Sequence, residues 1–257
     1  MLFPKSEGAI CIWENPVMKT SLDARLLAAA NFVRDGAYLA DIGTDHAYLP
    51  IYLAQNGKIS RAVASDIRKG PLARAERNIR AAGLSDKIET VLTDGLSGLE
   101  RYPITDIVIA GMGGLMIASI LDAADFIRTA KLRLILQPMQ HIPELRRYLS
   151  AGWLVEKEAI TEESGKLYQI LCARYDGIKR NPSALELLLG SYNLAHKREI
   201  PLFSALCERQ AVVLSEKIAG LERGGHDASA EKEMLLAIRA ELTDIKTVKG
   251  ETYGLRS

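Results

Sequence analysis

Cysteine is scarce in this sequence. Three occur in 257 residues, Cys11, Cys172 and Cys207, and none lies in a CxxC or Cys/His spacing. Such scattered thiols fit neither a disulfide framework nor a zinc site. We therefore expect no metal centre and a reducing, cytoplasmic environment.

Long apolar runs and an excess of one charge are missing as well. No stretch reaches the roughly 18 uninterrupted apolar residues that a membrane-spanning helix requires, which excludes a membrane transporter. Lys and Arg number 33 and Asp and Glu number 32, so the formal net charge is +1. Any contact with nucleic acid must then come from a local basic cluster, because phosphate affinity depends on clustered Lys and Arg.

The region from residue 21 to 176 alternates short apolar runs with longer stretches of helical spacing. This alternation is typical of β-α units around a parallel sheet. The predicted parallel strands are residues 38–42, 61–66, 88–92, 107–110 and 133–137. Two further runs, 153–160 and 167–175, predict a closing antiparallel hairpin. The expected fold class is α/β, with a doubly wound, Rossmann-like sheet.

No strand pattern recurs beyond the turn-forming residues 176–182. Ser183 and Glu186 have the spacing of a capping box, and we expect the helix they begin to continue through Tyr192 and to be interrupted at Pro201. Two amphipathic helices joined by a Gly-Gly turn at 224–225 predict an antiparallel helical hairpin. The predicted domains are an extension at residues 1–17, upstream of a start at Met18, a sheet domain at 18–176 and a helical domain at 177–257.

The loop after the first strand reads DIGTDH from Asp41 to His46. It lacks the GxGxxG pattern that lets backbone approach a pyrophosphate. Its carboxylates repel phosphate but accept hydrogen bonds from an ammonium group. The loop therefore favours a cationic nucleoside ligand and argues against a nicotinamide dehydrogenase.

Two more acids follow predicted strands. Asp66 ends the second strand, 25 residues after Asp41, where an acidic side chain commonly binds ribose hydroxyls. Asp94 follows the third strand, where a carboxylate can accept from the exocyclic amine of an adenine. Each acid taken alone could instead cap the next helix. Three acids at successive strand ends favour a nucleoside site.

The loop after the fourth strand, AGMGG from Ala110 to Gly114, has three glycines in four positions. Glycines let a ligand or a base lie against backbone, or they satisfy a turn that needs positive φ. This strand end has no Asn or Asp followed by Pro-Pro, the arrangement that accepts the N–H of an exocyclic amine. A target nitrogen with a free lone pair needs no such acceptor.

DIGTDHAYLP at 41–50, IAGMGG at 109–114 and LILQP at 134–138 together resemble the bacterial TrmK family, the tRNA (adenine22-N1)-methyltransferases. The resemblance covers about residues 20–250 and does not include the segment before Met18. It implies a class I S-adenosylmethionine-binding fold with a C-terminal coiled-coil domain, and methylation of N1 of an adenine in tRNA. Asp66 departs from a Glu frequent in the family, and either acid can hold a ribose.

Position and resemblance together assign the site residues. Those expected to bind the donor are Arg25, Asp41, Gly43, Thr44, Asp45, His46, Asp66, Ile67, Asp94, Gly95, Gly111 and Met112. Those expected to position the reacting groups are His46, Met112, Gly113 and Gln137. Alternatives stay open, because Arg25 can instead hold a tRNA phosphate, His46 can be a plain loop residue and Gln137 can cap a helix.

A tRNA substrate requires a basic contact surface. The candidate residues are Arg61, Arg68, Lys69, Arg74, Arg77, Arg146 and Arg147. The helical hairpin either binds the tRNA or serves oligomerisation, and its balanced charge weakens the first role; we expect a monomer. The alternative class is a non-catalytic RNA-binding protein, which does not account for three strand-end acids beside a glycine loop.

Overall fold

The computed structural model describes residues 20–128 and 132–253, so the predicted extension at 1–17 lies outside the described residues. Seven strands form one sheet in the order β3-β2-β1-β4-β5-β7-β6. They are β1 (Ala37–Ile42), β2 (Ile59–Asp66), β3 (Ile88–Leu92), β4 (Asp106–Met112), β5 (Arg133–Pro138), β6 (Trp153–Glu163) and β7 (Lys166–Tyr175). The first five run parallel, and β7 lies antiparallel between β5 and β6. The predicted α/β sheet with its closing hairpin is confirmed.

Helices cover both faces of the sheet. One face packs against α1 (Ala24–Phe32), α2 (Tyr48–Gln55) and α3 (Lys69–Ala81), and the other against α4 (Gly114–Asp122) and α5 (Ile142–Leu149). Because the central strands are covered on both sides, their runs are almost wholly apolar, and Leu39, Ile107 and Leu134 have no exposed surface. Strand order reverses between β1 and β4, which opens a crevice at the carboxyl ends of the parallel strands.

The β6–β7 hairpin is longer than the sequence predicts. Ser164 and Gly165 both adopt left-handed conformations, with φ of 51° and 73°. Two left-handed central residues make the tight turn that matches the twist of paired strands. Glu163 therefore pairs directly with Lys166, and the ladder runs to the end of the hairpin.

The C-terminal region is helical, as predicted, with α6 (Ala184–Leu189), α7 (Ser191–Ala195), α8 (Phe203–Arg223) and α9 (Ser229–Tyr253). The capping box of Ser183 and Glu186 is confirmed, since each side chain bonds the backbone N–H of the other residue. The expected continuous helix through Tyr192 is wrong. The chain breaks at Gly190, which has a φ of 95° and packs so closely on Glu158 that a Cβ would overlap its carboxylate.

The helical region has its own apolar cluster, in which α8 and α9 pack as an antiparallel pair. The cluster includes Phe203 and Leu206 of α8 and Ile245 of α9, and Ile160 of β6 joins it from the sheet. Within the described residues, no helix is both long and apolar enough to cross a membrane. The boundary between residues 176 and 177 stays a prediction.

Candidate active site

A cavity of about 820 Å³ lies at the carboxyl ends of β1 to β4. All the residues predicted to bind the donor line it, namely Arg25, Asp41, Gly43, Thr44, Asp45, His46, Asp66, Ile67, Asp94, Gly95, Gly111 and Met112. The parallel register places these separate loops side by side, because neighbouring strands end at the same edge of the sheet. The cavity also includes residues that the sequence analysis missed, among them Tyr48 and Met116.

Asp41 is the buried acid of the site. Its Oδ2 accepts a hydrogen bond of 2.6 Å from the Thr44 hydroxyl. Burial raises the pKa of Asp41 to about 6, although the Thr44 bond acts in the opposite direction. Beside it, Gly43 has a φ of 71° and lies against the terminal methyl of Met112, where a Cβ would overlap. Met112 thus connects the loop after β1 to the loop after β4.

The segment after Gly43 has a strained backbone and an exposed aromatic pair. Asp45 and Ala47 adopt left-handed conformations, with φ of 47° and 57°. Asp45 accepts a hydrogen bond of 2.9 Å from Arg74, whose buried Nε has no hydrogen-bond partner. The His46 ring stacks on Tyr48 with 5.1 Å between centroids and 5° between planes. Half-exposed, this pair presents a flat surface at the cavity wall.

Asp66 and Asp94 occupy the neighbouring strand ends. Asp66 is buried, and its Oδ1 accepts from the backbone N–H of Arg68 at 2.8 Å, so one carboxylate oxygen orders the start of α3. Asp94 is exposed and is followed by Gly95. A Cβ on Gly95 would lie 3.1 Å from Ile120, and its φ is 55°. The glycine therefore lets this loop lie close to α4.

The glycines between the end of β4 and the start of α4 differ in what they require. Gly111 alone among them has positive φ, at 77°. Gly114 needs space, because a Cβ there would overlap the backbone carbonyl of His141. Gly113 has a φ of −68°, and its Cβ would make an ordinary 3.5 Å contact with Gln140. Gly113 is not among the residues that line the cavity, and its predicted place beside the reacting groups stays a prediction.

Arg25 enters the cavity from α1 and is held on two sides. Its Nη2 donates to Asp23 and its Nη1 to the Oε1 of Gln137, both at 2.9 Å. Gln137 is fully buried, its Oε1 also accepts from Gly111 N at 3.0 Å, and its Nε2 donates to the carbonyl of Pro138. With its amide saturated by protein partners, Gln137 cannot read an adenine edge. It is also not a helix cap.

The predicted RNA-binding residues separate into groups. One group lies on or next to α3: Arg68 lines the cavity, Arg74 bonds Asp45 at the cavity wall, and Lys69 and Arg77 lie on the same helix. Arg61 lies five residues before the end of β2, roughly 16 Å from the carboxyl edge at the usual strand rise. Arg147 is exposed on α5. Arg68 and Arg74 are therefore the members of the first group with a described link to the cavity, and the RNA-binding role of the group stays a prediction.

Arg146 is not an RNA-binding residue. It is buried, with two hydrogen bonds of 2.7 and 3.0 Å to Oε1 of Glu158. It also donates to Gln169 and to the carbonyls of Leu187 and Leu188 at the end of α6. Arg146 therefore joins α5 and the β6–β7 hairpin to the helical region.

Large apolar side chains stand exposed after the carboxyl ends of the parallel strands, and Tyr48, Ile67 and Met116 among them line the cavity. We define the apolar collar as Tyr48, Ile67, Leu115, Met116 and Met139, which are 46 to 61% exposed. Each lies one to six residues beyond the end of a parallel strand. Large apolar residues within six positions after a strand are the sequence signal that could have revealed them.

Comparisons with known proteins agree with this geometry. A methyltransferase-domain family model matches residues 22–171. A tRNA (adenine(22)-N(1))-methyltransferase of Bacillus subtilis (strain 168) is 41% identical over 172 residues, which are 64% of this chain and 72% of that protein. The structure of Streptococcus pneumoniae Sp1610 in complex with S-adenosyl-L-methionine has 35% identity and a TM-score of 0.75, covering 86% of this chain and 100% of that chain. The structure of M. capricolum TrmK with S-adenosyl-homocysteine has 27% identity and a TM-score of 0.73, covering 87% and 99%.

The fold, the acids at the strand ends and the family model define a methyltransferase of the Rossmann-like class. The sequence identity to the Bacillus subtilis protein, and the share of that protein covered, identify the family within this class. The chain belongs to the family of tRNA (adenine(22)-N(1))-methyltransferases, which confirms the family predicted from the motifs.

Proposed function

We propose that this chain transfers the methyl group of S-adenosylmethionine to N1 of adenine 22 in tRNA. The observation that carries the proposal is the row of acids along the cavity. Asp41, Asp66 and Asp94 stand at the ends of three adjacent parallel strands in a cavity that has no phosphate-binding glycine motif. Such a row suits a cationic nucleoside.

The order of the strands sets the direction of the donor. Asp94 beside β3 would accept from the adenine amine, and Asp66 at the end of β2 would hold the ribose hydroxyls. Asp41, a buried acid whose pKa is raised by burial, fits the donor's ammonium, because a nearby cation stabilises the carboxylate. Arg25 would hold the donor's carboxylate. This order leaves the methyl group facing Gly111 on the β4 side.

The chemistry asks for alignment more than for proton transfer. The donor supplies a methyl group on a cationic sulfur. The N1 lone pair attacks the methyl carbon in line with the carbon–sulfur bond, the sulfur leaves with the bonding electrons, and the base takes the positive charge. A neutral adenine has no proton on N1, so the chain needs no general base. Proximity and orientation can contribute roughly 7–11 kcal/mol at best. Met112, between the loops after β1 and β4, is placed to shape that alignment.

The apolar collar and α3 support an RNA substrate. N1 lies on the pairing edge of adenine, so the base must leave its stack to be methylated. Unstacked bases are commonly bound on aromatic and apolar side chains, as the His46–Tyr48 pair offers. The basic residues Arg68, Lys69 and Arg77 at the start and along α3 would contact phosphates.

The helical region would have a supporting role. We infer that residues 177–257 form a separate domain, that the chain acts as a monomer and that it works in the cytoplasm with tRNA. The charged side chains of the helical pair bond one another, as in Lys217–Glu231 and Lys232–Glu222, which leaves fewer cations for phosphate. The main phosphate contacts are therefore assigned to α3.

The test uses two tRNA transcripts that differ only at position 22, one with adenine and one with guanine. Methyl transfer by the purified chain is expected on the first alone, with a primer-extension stop at position 22. Asp66→Ala, at the same protein concentration, should need more donor to reach the same rate. Methylation of both transcripts, a stop elsewhere, or no transfer by a chain that binds S-adenosylhomocysteine would overturn the proposal.

A further inference from the structure

A backbone bulge connects β4 to the loop that follows it. The ladder between β4 and β5 pairs Ala110 with Gln137 and Met112 with Pro138, and its register shifts between them. Gly111 is the extra residue. A bulged residue is left without a partner in the ladder. The Gln137 side chain replaces that partner, because its Oε1 accepts the Gly111 N–H at 3.0 Å.

The same oxygen accepts a second hydrogen bond, from outside the sheet. Arg25 Nη1 donates to it at 2.9 Å. An amide oxygen has two lone-pair sites, so one donor from the loop and one from Arg25 saturate it. A Cβ on Gly111 would lie 3.3 Å from Arg25 Nη1, which shows how closely the guanidinium lies against the bulge.

We propose that Gln137 is a positioning residue that fixes Arg25 relative to the Gly111 bulge. The inference rests on the proposed function, in which Arg25 holds the donor's carboxylate and Gly111 faces the target base. The Gln137 oxygen then fixes the position of the donor-binding side of the cavity relative to the side that receives the target base. Misplacement of reacting groups by about 1 Å can cost about a hundredfold in rate, so a shared anchor has a direct kinetic effect.

The neutrality of the amide matters as much as its oxygen. Asp23 already bonds one side of the Arg25 guanidinium at 2.9 Å. A second carboxylate at position 137 would accept the same hydrogen bonds but would neutralise the remaining positive charge. Arg25 would then attract the donor's carboxylate less. An amide holds the guanidinium in place and leaves its charge available to the ligand.

Two substitutions separate these effects. Gln137→Met keeps the length of the side chain and removes the acceptor oxygen. Gln137→Glu keeps an acceptor oxygen, replaces the Nε2 donor to Pro138 with a second oxygen, and adds charge. Gln210→Met on α8 is the control for loss of an amide away from the cavity. The measurements are amide hydrogen exchange at Gly111 in the ligand-free protein, S-adenosylhomocysteine affinity by calorimetry, and single-turnover methyl transfer at saturating donor and tRNA.

In Gln137→Met, the Gly111 amide hydrogen should exchange with solvent at least tenfold faster than in wild type. Single-turnover methyl transfer, measured per molecule able to bind donor, should be at least tenfold slower. Gln137→Glu should protect the Gly111 amide better than Gln137→Met does, yet bind S-adenosylhomocysteine at least tenfold more weakly than wild type. Gln210→Met should match wild type in all three measurements.

The proposal is overturned if Gln137→Met matches wild type at Gly111 and in rate, or if Gln137→Glu binds S-adenosylhomocysteine normally or protects Gly111 no better than Gln137→Met does. If Gln137→Met does not fold, the Gln137→Glu measurements decide alone. A wild-type chain that does not methylate tRNA would refute the proposed function instead, and the exchange and calorimetry would still test Gln137.

Discussion

The carboxyl edge of the sheet and the α8–α9 hairpin use charge and backbone in opposite ways. In the hairpin, acids and bases neutralise each other within short distances, as in Lys217–Glu231 at 2.8 Å and Lys232–Glu222 at 2.6 Å. At the edge, Asp41 is buried with its pKa raised, and Asp45 has a left-handed backbone. The buried acid and the left-handed backbone both lower stability, and both lie at the edge of the sheet where a ligand can bind. The hairpin, in contrast, contains the paired charges that are usual in a stable pair of helices.

The largest expected difference between the two regions is in donor binding. Asp66→Ala removes acceptors at the end of β2, and a hydrogen bond to a charged group contributes about 1.5–3 kcal/mol, so S-adenosylhomocysteine should bind roughly ten- to a hundredfold more weakly. Glu222→Ala, which removes a hairpin carboxylate, should leave the affinity unchanged. Calorimetry on both variants makes the comparison. Normal affinity in a folded Asp66→Ala protein would remove this residue from the site.

Sequence patterns captured the features that depend on local chemistry. The strands were recognisable because each parallel strand is a short apolar run buried on both faces. The capping box was recognisable because Ser183 and Glu186 satisfy each other within one helical turn. The acids of the cavity were found from their position after strands, since parallel strands must end together.

The missed features depend on contacts between distant segments. Arg146 and Arg147 read as one basic pair, but neighbouring helix positions point in different directions, and Arg146 turns inward to Glu158 on β6. Which glycine after β4 needs space was hidden as well, because the backbone of His141 approaches Gly114 from α5. The apolar collar combines residues that follow four different strands, some of them on α2 and α4, so no single window of sequence displays it.

A second prediction asks whether Asp41 trades stability for binding. Asp41→Asn should raise the free energy of unfolding at pH 7 by roughly 1–3 kcal/mol, because the raised pKa penalises the folded wild type once the acid ionises. The penalty is absent below about pH 4, where both folded and unfolded states are protonated, grows up to about pH 6 and is complete above it. Denaturant unfolding of both proteins between pH 4 and 7.5 isolates this difference.

Donor binding should change in the opposite sense. Wild-type affinity for S-adenosylhomocysteine should rise as the pH increases through about 6, since the Asp41 carboxylate forms there. Asp41→Asn should bind more weakly and lose this rise. An Asp41→Asn protein that is less stable than wild type at pH 7, or whose ligand affinity keeps the wild-type pH dependence, would contradict the prediction that Asp41 lowers stability and strengthens binding.

A third prediction separates two adjacent glycines. Gly114→Ala must push α4 away from the backbone of His141, and overpacking of this kind typically costs about 1–3 kcal/mol. Gly113→Ala meets only an ordinary contact and should melt within about two degrees of wild type, with methyl transfer preserved per folded molecule. Thermal unfolding and single-turnover rates of the two variants test this. Equal destabilisation of both would show that the α4–α5 contact does not set the requirement.

The smallest effects should come from single lysines, and they should differ between the two regions. Lys69 begins α3 directly after Arg68, which lines the cavity, whereas Lys217 is paired with Glu231 in the hairpin. Loss of one phosphate contact lowers the slope of log affinity against log salt by about 0.7–0.9. Lys69→Ala should therefore weaken tRNA binding a few-fold at low salt and reduce that slope by about this amount.

Lys217→Ala should leave the slope unchanged and move the melting temperature by no more than about two degrees, because exposed ion pairs contribute little. Filter binding of tRNA across a salt series provides the slopes, and S-adenosylhomocysteine affinity should be normal in both variants. A reduced slope in Lys217→Ala with a normal one in Lys69→Ala would move the phosphate contacts from α3 to the hairpin.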